Sequence, residues 1–66
     1  MKATYTIVIE NGHRIVREFS KREAITAVVE ALFGSDKAQE FNNWVDTTIA
    51  DGTFRADGFY IHKIRA

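Results

Sequence analysis

Alternation dominates the start of this chain. Lys2–Glu10 is rich in β-branched and aromatic residues, and Ala3, Tyr5, Ile7 and Ile9 take every second position, which is the period of a strand with one buried face. Asn11-Gly12 follows, a pair that tolerates positive φ and so marks a hairpin. His13–Phe19 is then the returning strand. A two-residue Asn-Gly loop would pair Ile9 with Arg14 and Tyr5 with Glu18, mixing polar and apolar residues on both faces. A three-residue loop Glu10-Asn11-Gly12 pairs Ile7 with Ile15 and Ala3 with Phe19. It gathers Ala3, Tyr5, Ile7, Ile9, Ile15 and Phe19 on one face and leaves Thr4, Thr6, Val8, Arg14, Val16 and Glu18 on the other. A slip of one residue would exchange the faces, so the segregated register is the expected one.

The middle of the chain changes period. Ser20 and Glu23 have the spacing of a capping box, and the predicted helix runs to about Phe33, with Gly34 as its left-handed terminus. Ala24, Ile25, Val28, Val29 and Leu32 share one face, with Glu23, Thr26 and Glu30 opposite. Ser35 is the expected cap of a second helix, with Asp36 in its first turn. Its buried stripe is expected to be Ala38, Phe41, Val45, Thr48 and Ile49, with Trp44 at the margin. Asp36, Gln39, Glu40, Asn42, Asn43 and Asp46 face away, and Asp51-Gly52 ends the helix. Thr53–Gly58 reads as a turn-rich loop, or as a short strand entering an Asp57-Gly58 turn. Gly58–Arg65 is the last strand, with Phe59 and Ile61 inward and Tyr60, His62 and Ile64 outward.

The expected fold is therefore α+β in the order β-β-α-α-β. Three strands form a sheet, two helices pack on one face, and the last strand runs parallel to the first. Whether the last strand pairs with the first or the second is open. With 66 residues, 45% of them hydrophobic, the chain forms a single compact domain, residues 1–66, with enough apolar mass for a small core. Its stability is expected to be roughly 3–10 kcal/mol. Disorder is excluded by that hydrophobic content. Absence of cysteine excludes a disulfide scaffold and any thiolate metal site, and it fits a reducing cytoplasm. No apolar run approaches the length of a membrane span, and the alternating N-terminus is unlike a signal peptide.

Chemistry-bearing motifs are absent. His13 stands at the hairpin tip and His62 in the last strand, with no nucleophile in a recognisable elbow. Asp46, Asp51 and Asp57 lack the spacing of a calcium loop. No phosphate-binding glycine motif or HExxH occurs. The expectation is a protein that is not an enzyme and uses no cofactor or metal.

Charge is neutral in sum, nine basic against nine acidic residues, but unevenly placed. Residues 1–22 carry +3, residues 23–58 carry −5, and the last eight carry +2. The sheet side is expected to be positive and the helical side negative, a dipole able to steer a charged partner. Glu23, Glu30, Asp36, Glu40 and Asp46 form the candidate acidic binding face. Arg14 and Arg17 of the hairpin, Tyr60 as a stacking platform and Trp44 as an anchor are secondary candidates.

The opening MKATYTIVIENGHRIVREFS, the acidic EAITAVVEALFGSDKAQEFNNWVD and the closing GFYIHKIRA together resemble the small phage-encoded anti-CRISPR proteins that inhibit type I Cascade complexes. That resemblance implies a protein in the bacterial host cytoplasm that binds a CRISPR effector subunit and prevents recognition or recruitment at target DNA. The alternative reading is a small nucleic-acid-binding module that uses the basic hairpin. A third is an assembly protein that self-associates through its sheet. The first reading expects a monomer.

Overall fold

The computed structural model describes residues 3–48 and 50–65. Six elements follow one another: β1 (Ala3–Asn11), β2 (His13–Phe19), α1 (Arg22–Phe33), α2 (Ser35–Thr47), β3 (Gly52–Ala56) and β4 (Phe59–Arg65). They build an α+β fold with two helices and one four-stranded antiparallel sheet in the order β2-β1-β4-β3. The fourth strand corrects the three-stranded expectation. Residues 52–56 take the strand option left open by the sequence, and β3 turns through Asp57-Gly58 into β4. That extra reversal makes β4 antiparallel to β1, not parallel, and seats it beside β1.

Antiparallel pairing aligns inner-face residues in rows across the sheet. Ile7 lies between Arg17 and Ile61, with Phe54 beyond; Ile9 lies between Ile15 and Phe59. Tyr5, Ile7, Ile9, Phe54, Phe59 and Ile61 form the sheet side of the core. Ile25 and Val29 of α1 and Ala38 and Phe41 of α2 close it from above. Phe41 is the hub, meeting Tyr5 and Phe54 edge-on at 6.0 and 5.7 Å between ring centroids. Such contacts add to the burial of large apolar surface.

The hairpin register differs from the expected one by two residues. Ile9 faces Ile15, Glu10 faces Arg14 and Tyr5 faces Phe19. Segregation of faces fixes only the parity of a register, and a two-residue shift preserves it. The observed register also sets Glu10 opposite Arg14, placing residues of opposite charge across from each other on neighbouring strands.

Helix ends depart from the expected caps. Since β2 runs through Phe19, the first cap is Lys21 in extended conformation, and Ser20 makes no cap bond. Backbone N–H groups of Ala24 and Ile25 donate to the Lys21 carbonyl at 3.2 and 3.3 Å. Gly34 is at once the C-cap of α1 and the N-cap of α2, so Ser35 is already helical. Around α1 the buried face is Ile25 and Val29, with Phe33 stacked on Phe59 at 4.1 Å. Ala24 is exposed and Leu32 is 58% exposed, because the larger Phe33 takes the core side of the last turn. Val45 packs partly against the core, Thr48 follows the end of α2, and Ile49 lies outside the described residues, as does Lys2. The second helix ends at Thr47, before Asp51-Gly52.

Lys63 is the one buried charged residue among those described, 6% exposed on the inner face of β4. Its ammonium donates to the Thr48 carbonyl just past α2 and lies 6.0 Å from the Trp44 ring centroid. A cation there meets the negative end of the helix dipole. Gly52, opposite Lys63, lies close beneath Trp44: a Cβ there would stand 3.2 Å from Trp44 Cζ2, so the indole would have to shift by a few tenths of an ångström.

Gly34 adopts φ 98° and ψ 163°, a region open essentially to glycine alone, yet an added Cβ would meet nothing within 4 Å. Gly34→Ala is therefore expected to cost about 1–3 kcal/mol through backbone strain without steric clash. A chemical denaturation midpoint equal to wild type would refute this.

Candidate binding surfaces

On the side of the helices away from the sheet, α1 and α2 are tied by a polar network. Arg22 donates through Nε to Asn42 Oδ1 at 2.6 Å and through Nη2 to the Asn42 carbonyl at 3.0 Å. The Asn42 amide in turn donates to Thr26 Oγ1 at 3.1 Å and to the Ala38 carbonyl at 3.0 Å. Arg22 Nη2 also stands 2.8 Å from Asp46 Oδ1. Asn42 and Thr26, expected on outward faces, thus meet between the helices. Their polarity hides this in a periodicity count; the signal was Arg22, Thr26 and Asn42 at positions able to cross-bond two adjacent helices.

This network floors a shallow groove of about 400 Å³ lined by Arg22, Glu23, Thr26, Ala27, Glu30 and Asn42. Glu23 and Glu30 are both exposed and two turns apart on α1. Asp36 is exposed in the first turn of α2. The other two acidic candidates are engaged: Glu40 by Lys37 at 3.4 Å and Asp46 by Arg22. Across the layers, α1 and α2 together carry −3 and the four strands +3. Part of the latter is internal, since Lys63 is spent at the end of α2.

The opposite sheet face has no helix against it. Val8 is only 4% exposed there because Val16 and Tyr60 flank it on neighbouring strands. Tyr60 is half-buried, with the Arg55 guanidinium 5.5 Å from its ring centroid and the His62 ring 5.1 Å away edge-on. His62 Nδ1 shares a 2.9 Å hydrogen bond with Thr53 Oγ1. His13 is exposed near the hairpin turn.

Other sequence candidates disperse. Arg14 and Arg17 are exposed but, an odd number of residues apart on β2, they project to opposite faces and do not form one basic patch. Trp44 packs on Phe41 and Phe54, with centroids 6.1 and 5.8 Å away, so its ring serves the core. The Asp51 carboxylate accepts the Arg65 backbone N–H at 2.7 Å. Among the described residues no three His, Asp or Glu cluster to hold a metal ion, and no helix is long and apolar enough to cross a membrane.

No protein family, curated protein or solved structure matches this chain.

Asn42→Ala removes the side-chain bonds to Arg22 Nε, Thr26 and the Ala38 carbonyl, and leaves Arg22 only the residue-42 carbonyl and Asp46. It is expected to destabilise by about 1–3 kcal/mol. A double-mutant cycle with Arg22→Ala should return coupling between the two positions; strictly additive losses would contradict the network.

Proposed function

We propose that this protein is a non-enzymatic inhibitor that docks its acidic helical layer onto a basic, phosphate-binding groove of a type I CRISPR effector complex. The observation that carries the reading is the division of charge between layers, −3 on the helices and +3 on the strands. A neutral molecule polarised this way gains orientation as well as attraction when it meets a positive surface. Glu23 and Glu30 are the leading contacts, because Glu40 and Asp46 already have basic partners. Seven residues of helix separate Glu23 and Glu30 by about 10 Å along the axis. That spacing is near three steps of the roughly 3.4 Å rise of a DNA strand. The choice of a CRISPR effector comes from the resemblance of the whole chain to anti-CRISPR proteins. Binding to nucleic acid is the competing reading, and Tyr60 with Arg55 is its best support on the uncovered sheet face.

Binding of purified type I effector complex to the immobilised protein tests this directly, followed by competition with target DNA. Wild type should bind and block DNA. Glu23→Lys with Glu30→Lys should lower affinity at least roughly tenfold, mainly through slower association, and added salt should weaken wild-type binding. Unchanged affinity in a folded double variant would end the acidic-face reading. Absence of any binding to the complex, with oligonucleotide binding lost in Tyr60→Ala, would favour the competing one.

A further inference from the structure

The edge strand β2 is exposed on both sides: His13 to Glu18 are all exposed, and Ile15 and Val16 are 41% and 48% accessible. At the other edge, β3 is shorter, five residues against seven. Long uncovered edges offer a row of backbone groups to another strand.

Which groups are free follows from one hydrogen bond. The Glu10 N–H donates to the Gly58 carbonyl at 2.8 Å, so even-numbered residues of β1 direct their backbone bonds to β4 and odd-numbered ones to β2. In the β1–β2 register odd residues face odd ones, so β2 bonds to β1 through His13, Ile15, Arg17 and Phe19. The backbone groups of Arg14, Val16 and Glu18 therefore point to the free edge. Consistent with this, the Val16 carbonyl accepts a bond from its own neighbour's Arg17 Nη1 at 3.0 Å.

We infer that β2 pairs antiparallel with β2 of a second copy, in the register that sets Val16 opposite Val16, making a two-fold dimer with one continuous sheet. In that register all seven residues find partners, and each free backbone pair can exchange both hydrogen bonds. Arg14 then faces Glu18 of the partner copy, twice by symmetry, and two valines meet on the axis. The strand is charge-complementary to itself. Centring on Arg17 would oppose two arginines, and centring on Ile15 would leave Glu18 and Phe19 overhanging. In the chosen dimer the outer face reads Glu10, Arg14, partner Glu18, alternating in sign. A two-fold axis normal to the sheet places both helical layers on the same side. The inference stands independently of the CRISPR target and replaces the monomer expected from the sequence.

Sedimentation equilibrium from micromolar to millimolar protein tests it. The wild type should approach twice its 7.5 kDa. Arg14→Glu and Glu18→Arg, each alone, should remain monomeric, because each opposes like charges at two places. An equimolar mixture of the two should restore the dimer, since every facing pair is then of opposite sign. Amide exchange in the wild type provides a readout free of substitutions: Arg14, Val16 and Glu18 should become protected as concentration rises. A monomer at millimolar concentration, a dimer indifferent to both reversals, or protection elsewhere would overturn the proposal.

Discussion

The pairing of β1 with β4 holds the molecule together. These strands occupy the two central places of the sheet, and each inward row crosses both. Tyr5, Ile7 and Ile9 from one and Phe59 and Ile61 from the other supply most of the surface on which the helices rest. The remaining elements attach to that pair: β2 and β3 as flanks, and the helical hairpin as a lid centred on Phe41. Burial of these rings and branched chains is the dominant favourable contribution available to a chain this small.

Much of this was legible from the residues. Alternation over β1 and β4 identified the inward residues, and the period change after Phe19 identified two helices. Register was less accessible, because alternation constrains parity and says nothing about shifts by two. Direction of the last strand depended on whether residues 52–56 were loop or strand, and five residues containing Gly52 and Ala56 give weak β signal. In the helices, apolar count favoured Leu32, while packing selected Phe33, whose ring reaches Phe59. Capping departed from the expectation because α1 starts at Arg22: Ser20 lies between the end of β2 and the cap position at Lys21, one residue too early for its hydroxyl to cap the helix.

Charge summed along the sequence is too coarse to describe the surface. A sum along the chain treats Lys63 and Glu30 alike. In the fold, Lys63 is buried against the end of α2, whereas Glu30 stands free on the outside. Pairing inside the helical layer likewise gives Asp46 and Glu40 basic partners, although both stay exposed, and leaves Glu23, Glu30 and Asp36 without an ion pair among the described residues. The basic hairpin divides between two faces by strand parity. What survives as candidate chemistry is a smaller and more definite surface than the sequence alone suggested.

The central pairing joins residues nearly a whole chain apart, Ala3 beside Arg65. A growing polypeptide can therefore form the first hairpin and both helices while the inner flank of β1 still lacks its neighbour. Folding cannot finish until β4 has been synthesised, and loop closure over that separation must come before the reward of the core. Removal of the last strand would accordingly do more than shorten an end. It would leave the middle of the sheet as an open edge, with Ile7 and Ile9 deprived of one side of their packing.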